Sequence, residues 1–522
     1  MKKTIRMASI KGKMLEKQIN YIPLRYIFAA LLSMLSILSI IGMVIALCYY
    51  VPYFYFAIVV VTVICLIRLI ASDDNPDYKV PWIVCVLLLP VVGCMLYLMF
   101  YSRKLHRKFI RRLKELKALG YEKQDEDEQA ALEAQSTSAA AQAKLLMRLA
   151  AAHLFTKTKT TYFPSGEQMH RAMLADLEKA QSFILVEFFI IEQGAFWDSI
   201  LEILKRKAAN GVTVRVCYDD IGCMSTLPGN YAKQLQKTGI QAVPFSRLRG
   251  NADSEFNNRN HRKILVIDGK VGYTGGVNLA DEYINKVERF GHWKDAGLRL
   301  EGEGVFELTQ LALCDFAMNT KLMPHKPTDC YPAAQQLPAN GYLIPFGDGP
   351  RPLYPRRVGK TLIQSMVNTA TREVYITTPY LIIDNELCTC LENAALRGVN
   401  VHIILPHVPD KKLIFAMSRS FYKRLMTAGV RIYEYTPGFI HAKTYLVDGE
   451  CAMIGTINMD YRSLVHHFEN GVWMYRTDCI ADIKADLLHT LERSTPITQD
   501  TQTANIRQRL FCSLVRIFAP MM

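Results

Sequence analysis

The chain has 522 residues, enough for several domains, and a formal net charge of +14, which points to an acidic partner such as a membrane surface, a phosphate ester or nucleic acid. Its 13 cysteines show no CxxC pair and no zinc-ligand spacing. Cys48, Cys65, Cys85 and Cys94 lie in apolar runs and Cys388 and Cys390 flank a single residue, so a disulfide scaffold is excluded and a reducing compartment expected.

Residues 1–25 form a basic tail with seven Lys/Arg against one acid, Glu16. Residues 26–101 read as a membrane region. Apolar runs over about 26–49 and 53–70, parted at Pro52, are each long enough to cross a bilayer, and a third covers 80–101 with Pro81, Pro90 and Gly93 inside it. A cleaved signal peptide does not fit so long an apolar region. Residues 103–117 then hold eight Lys/Arg and one acid. The positive-inside rule draws both basic segments to the cytoplasm, which three crossings cannot satisfy. Either one run is re-entrant or interfacial, or the shorter tail crosses. The segment beside the large domain weighs more, so a multi-pass cell-membrane protein with its globular part on the cytoplasmic face is expected. Residues 102–155 open with a basic amphipathic stretch over about 102–119, read as a collar on anionic headgroups worth about 1 kcal/mol per basic residue or, more blandly, as solvated linker. An acidic and then Ala/Gln/Ser-rich linker follows.

From residue 156 onward strands alternate with helices, in two rounds: 156–330 and 331–522. SGEQMHRAMLADLEKAQ predicts a helix, FILVEFFII a buried strand, DSILEILKRKAANG a helix, VTVRVCYDD a strand, YAKQLQKTG a helix and QAVPF a strand. The second round runs VGKTLIQSMVNTATR, EVYITTPY, NELCTCLENAALRG, VNVHIILP, SRSFYKRLMTAG and VRIYEY in the same order. This is the pattern of an α/β fold, one layered sandwich in each half. Residues 506–522 mix Arg507, Arg509 and Arg516 with apolar side chains, suited equally to a membrane interface or to packing on the domain.

Each round closes on the same motif, His-x-Lys-x4-Asp-x6-Gly-x2-Asn. His261, Lys263, Asp268, Gly275 and Asn278 recur as His441, Lys443, Asp448, Gly455 and Asn458, every pair at one offset (441 − 261 = 180). A single match would be weak; two copies without slippage are not. ILVI and TYLV read as strands, so each His and Lys two apart point the same way. Asp268-Gly269 and Asp448-Gly449 read as hairpin turns, which leaves the two aspartates open between turn formation and chemistry. The duplication implies that the halves pack face to face and build one site between them.

The paired motif resembles the phospholipase D superfamily. ILVEFFII, GVTVRVCYDDIG, HWKDAGLRLEG, TTPYLIID, AALRGVNVHIILP and INMDYRS resemble, more narrowly, bacterial cardiolipin synthases, as does KVPWIVCVLLLPVVGCMLYLMF in the third apolar run. The resemblance implies two tandem phospholipase D-like domains forming a pseudo-dimer behind N-terminal transmembrane helices. It implies catalytic His261, Lys263, Asp268, His441, Lys443 and Asp448, with Asn278 and Asn458 on the substrate phosphate and Asp295 and Glu469 orienting the histidines. It also implies a phosphohistidine intermediate, with no metal and no cofactor. The expected partners are the bilayer and anionic phospholipid, phosphatidylglycerol above all, and not nucleic acid. Two features depart from the pattern. The usual Gly-Ser after the motif is Gly275-Gly276 and Gly455-Thr456, and the usual Leu-Asn-Phe-Glu is His466-His467-Phe468-Glu469. The expected activity is a membrane phosphatidyltransferase joining two phosphatidylglycerols into cardiolipin and glycerol. The alternatives are a phospholipase D-type hydrolase, transfer to another alcohol, a nuclease on the same scaffold, or an inactive membrane-tethered polyanion binder. Two complete motifs argue against the last.

Overall fold

The computed structural model describes residues 24–50, 52–101, 126–247, 258–320, 337–351, 353–354, 356–498 and 515–516. The basic tail, the basic collar over 102–119 and nearly all of the C-terminal 506–522 segment lie outside them.

The first two apolar runs form long helices, Leu24–Tyr50 and Pro52–Ile70. Among the described residues, these are the two helices long and apolar enough to cross a membrane. The third run departs from a spanning helix. It breaks into Pro76–Leu88, Pro90–Leu96 and a π-turn, Tyr97–Tyr101. Thirteen helical residues reach about 20 Å, short of a bilayer's apolar thickness of about 30 Å. Pro90 cannot continue the helical hydrogen bonding, and a Cβ at Gly93 would lie 2.2 Å from the Cys85 carbonyl oxygen, so only glycine lets the second piece fold back on the first. Trp82, Tyr97 and Tyr101 pack into a small core with Cys65, Leu69 and Val465. The segment is fastened to the second half: Asn75 Nδ2 donates to Asp384 Oδ2 at 2.9 Å, and the Asn385 N–H donates to Asp77 Oδ2 at 2.6 Å.

The first half holds β1 (Thr158–Phe163), β2 (Phe183–Phe188), β3 (Thr213–Asp219), β4 (Gln241–Phe245), β5 (Lys263–Ile267), β6 (Val271–Gly275), β7 (His292–Lys294) and β8 (Gly297–Gly302). The second holds β9 (Tyr342–Asp348), β10 (Glu373–Thr377), β11 (Leu381–Ile382), β12 (Asn400–Pro406), β13 (Arg431–Tyr435), β14 (Gly438–Ile440), β15 (Thr444–Val447), β16 (Cys451–Gly455), β17 (Met459–Asp460), β18 (Glu469–Tyr475) and β19 (Ser494–Pro496). The sheets run β1-β8-β6-β5-β2-β3-β4 and β9-β18-β16-β15-β10-β12-β13-β19, the same order with one strand added. In each, three parallel strands (β2, β3, β4; β10, β12, β13) adjoin an antiparallel set. The inner parallel strands β2 and β12, FILVEF and NVHIILP, are almost wholly buried and correspondingly apolar.

The helices expected between the strands form at Gly166–Leu177, Ala195–Ala209, Tyr231–Gln236, Val358–Thr369, Asn385–Leu396 and Lys412–Thr427. Ser165 and Asp384 cap two of them by accepting the Gln168 and Leu387 N–H groups. One core lies on the outer face of each sheet, and a third lies between the sheets. That central core joins Leu185, Ile264 and Leu298 of the first half to Leu446, Ile454 and Val472 of the second. The sequence reading missed Val305–Met318 and Ile480–Glu492, which fill this core. The Ala-rich linker also does more than link. Its helices, Glu126–Gln135 and Thr137–Ala150, bury Leu132, Ala143 and Leu146 in the second half's outer core, and Gln142 Oε1 accepts from Trp473 Nε1 at 2.9 Å.

Candidate active site

Two backbone ladders tie the halves together at the motifs. β14, which leads into His441, pairs in parallel with β7. Asn260 bridges Phe468 in the same sense. The His441 N–H donates to the Lys294 carbonyl at 2.7 Å, and the next residue is Asp295; the His261 N–H donates to the Phe468 carbonyl at 2.9 Å, and the next residue is Glu469. Each histidine is thus laid beside a carboxylate from the opposite half. His261 Nδ1 lies 2.9 Å from Glu469 Oε2, and His441 Nδ1 lies 2.8 Å from Asp295 Oδ2. Both carboxylates are fully buried.

The surroundings of the two pairs differ. Glu469 accepts from the Thr456 and Ser463 hydroxyls, while Asp295 Oδ1 accepts from the Ala296 N–H at 2.7 Å. A Cβ at Gly276 would fall 2.0 Å from Asp295 Oδ1, so the position that carries Thr456 in one half has no room for a side chain in the other. The His261 arm is pinned by buried ion pairs, Arg259–Asp219 at 2.9 Å and Arg262–Asp315 at 2.6 Å, and Arg262 Nε donates to the Glu469 carbonyl at 3.0 Å. Around His441 rings do this work: Tyr283 meets it edge-on at 5.3 Å and Trp293 lies at 6.0 Å.

Lys263 and Lys443 are buried beside their histidines. Lys263 Nζ donates to the His261 carbonyl at 2.8 Å, and Lys443 Nζ lies 2.8 Å from His441 Nδ1. Burial pulls Lys263 down to about 7, with facing Lys443 adding to the effect, and pulls Lys443 to about 8. Burial likewise holds the imidazoles neutral, His261 at about 3 and His441 at about 4. Burial would raise Glu469 and Asp295, but His261 and His467 around the first, and His441, Lys443 and the Ala296 N–H around the second, together outweigh it and both stay below the usual carboxylate range. The site therefore brings together two carboxylates, two lysines and two imidazoles whose Nδ1 atoms face carboxylates, leaving each Nε2 for a substrate.

Asn278 is engaged by the fold, accepting from the Ile190 N–H at 3.1 Å and donating to Tyr283 Oη at 2.7 Å. Asn458 Oδ1 is buried and has no hydrogen-bond partner among the described residues. Tyr283 and Ser463 share the motif's offset (463 − 283 = 180) and each supports its motif asparagine: Ser463 Oγ accepts from the Asn458 N–H at 3.0 Å. Extending the repeat by five residues would have found both. Phe189, 5.0 Å from His261 ring to ring, had no such signal.

Asp268 and Asp448 stand apart from this group, and the expectation that they join the chemistry does not fit their placement. They sit at the far ends of β5 and β15, about 15 Å along the strand from the lysine end. Both take positive φ, 52° and 53°, as do Gly269 and Gly449 at 64° and 68°, the geometry of a tight hairpin. Asp268 accepts from the N–H groups of Gln181, Ser182 and Phe183, and Asp448 from those of Thr371, Arg372 and Glu373. Asp268→Asn is expected to lower stability by about 1–3 kcal/mol while leaving turnover per folded molecule largely intact. Thermal unfolding and a steady-state assay on one preparation check this; a selective loss of turnover would return Asp268 to the catalytic group.

Comparison with known proteins agrees with this geometry. Residues 173–289 and 363–491 match the family described as Cardiolipin synthase, PLD-like domain, and residues 60–100 match Phospholipase_D-nuclease N-terminal. The chain is 35% identical over 436 residues to a cardiolipin synthase of Halalkalibacterium halodurans, covering 82% of this chain and 85% of that one. The chain belongs to the cardiolipin synthase family of the phospholipase D superfamily. A cardiolipin synthase of Geobacillus kaustophilus is 34% identical over 90% of this chain and 94% of its own. An uncharacterized protein of Streptococcus mutans is 46% identical over 73% of this chain and 82% of its own. In fold, the crystal structure of Haemophilus influenzae phosphatidylserine synthase aligns with 74% of this chain and 98% of its own, at a TM-score of 0.55 and 14% identity. Membership in the cardiolipin synthase family makes the chain a phosphatidyltransferase, and its two apolar helices agree with a membrane protein.

Proposed function

We propose that the protein joins two phosphatidylglycerols into cardiolipin and glycerol through a phosphohistidine on His261. The observation that carries this reading is the crossed pairing: each histidine is oriented by the other half's carboxylate, so neither half has a complete site alone. His261 Nε2 attacks phosphorus and the phosphorus–oxygen bond to glycerol breaks. His441, protonated at Nε2 when the anionic phosphodiester enters, gives its proton to the departing oxygen. The second lipid's terminal hydroxyl then attacks the phosphohistidine, its proton returns to His441, and His261 leaves neutral. Lys263 and Lys443 neutralise the nonbridging oxygens, with Asn458 as the freer of the two asparagines. The assignment of His261 to attack and His441 to proton transfer follows the family resemblance.

A topology of two crossings with an interfacial third run is the one that satisfies the positive-inside rule for both basic segments of the sequence. We place both segments, and the catalytic halves, in the cytoplasm. A site hung beside the bilayer meets the second lipid at the high effective concentration of the membrane plane, which favours transfer over hydrolysis.

In phosphatidylglycerol vesicles the purified protein is expected to release glycerol and form cardiolipin in equal amounts without a nucleotide-activated lipid. Phosphatidic acid as the main product would make it a hydrolase. The pH profile has a definite sign. A lysine is charged below its pKa, so kcat/KM is expected to fall as pH rises through about 7 and about 8, where the lysine pair discharges. An activity that instead rose steadily through this range would contradict a role for charged lysines.

A further inference from the structure

One buried ionisable side chain beside the site has no part in this reaction. His467 stands where the family pattern has asparagine. It is 8% exposed, yet among the described residues neither ring nitrogen has a hydrogen-bond partner within 3.5 Å. Its ring lies 5.5 Å from that of His261, and its Nδ1 lies 3.7 Å from Glu469 Oε1. One ligand atom from each of His261, His467 and Glu469 falls within 4.8 Å of the other two, and all three residues are buried.

We propose that His261, His467 and Glu469 form a binding site for a divalent transition-metal ion of the zinc class, and that its occupation switches the enzyme off. Two imidazoles and one carboxylate are a zinc donor set with a fourth position open. Bond lengths of about 2.0–2.2 Å put ligand atoms about 3.3–3.6 Å apart; His261 Nδ1 and His467 Nδ1 lie 2.9 and 3.7 Å from Glu469, and no pair of ligand atoms is more than 4.8 Å apart, so side-chain rotations complete the site. Magnesium and calcium prefer all-oxygen sites and are not expected here. The ligands come from both halves, so an ion also ties the halves together. Lys263 and Lys443 oppose a dication, which makes this a reversible inhibitory site rather than the seat of a resident metal. Coordination at His261 Nδ1 displaces its hydrogen bond to Glu469 and leaves the ring proton on Nε2, so the lone pair needed for attack is lost. The inhibition therefore rests on the reading of His261 as nucleophile; the binding does not.

The test uses full-length protein stripped with chelator, titrated with zinc for activity and with cobalt(II) for its tetrahedral absorption band, beside His467→Asn. Stripped wild-type enzyme is expected to be active, insensitive to magnesium, inhibited by zinc and restored by chelator. His467→Asn is expected to keep basal turnover, which also shows that it folds, to need at least about tenfold more zinc for the same inhibition, and to lose the cobalt band. Equal zinc sensitivity in wild type and variant, or no cobalt band in the wild type, would overturn the site and leave the proposed reaction standing. A cobalt band that depends on His467, without inhibition by zinc, would overturn the switch and with it the assignment of His261 as nucleophile.

Discussion

Replacing His261 or His441 by alanine is expected to lower kcat/KM by about 10^4-fold or more, with membrane insertion intact. The two variants differ in stability. Without His261, Glu469 keeps the Thr456 and Ser463 hydroxyls. Without His441, buried Asp295 Oδ2 loses its imidazole partner, which costs about 1–3 kcal/mol; His441→Gln, which retains a donor, serves as the folded control. Vesicle assays paired with thermal unfolding separate the two effects. Near-normal turnover in either folded variant would mean that the halves do not share one site.

The crossed carboxylates give the second large effect. Glu469→Gln and Asp295→Asn are each expected to reduce transfer by about 10^3–10^4-fold, because an amide orients the imidazole in the wrong tautomer. The leaving group then sorts the four variants. A phosphatidyl ester of an acidic phenol needs no proton from the enzyme to depart. With it, a burst of phenol, one per site, is expected to recover in His441→Ala and in Asp295→Asn, and to stay lost in His261→Ala and in Glu469→Gln. Glu469 of the second half would thus behave as part of the His261 unit, and Asp295 of the first half as part of the His441 unit. Sorting by half rather than across halves would contradict the pairing at 2.9 and 2.8 Å.

Much of this was legible in the sequence because duplication records itself. Five motif positions at one offset predicted two equivalent halves and one shared site, and alternating strands and helices predicted two α/β sheets of matching order. Asp295 and Glu469 were found by resemblance, but nothing in a linear chain tells which histidine each serves; that depends on the ladders joining 292–294 to 438–440 and Asn260 to Phe468. The third apolar run has a spanning composition, and what stops it from spanning is packing: a break at Pro90, the close approach at Gly93 and docking beside Asp384. The motif leaves Asp268 and Asp448 open between turn and chemistry, since a turn that needs positive φ and a backbone cap repeats as faithfully as a catalytic residue.

The central claim, covalent capture on His261 with His441 moving the proton, is tested most directly in His441→Ala given the phenyl ester. The intermediate should form there and persist, since the base that activates the second alcohol is absent. An alkaline quench, which spares the phosphorus–nitrogen bond, followed by peptide mapping should find the lipid phosphoryl group on the peptide containing His261. Its absence from that peptide while phenol is released, or its appearance on another residue, would contradict the account.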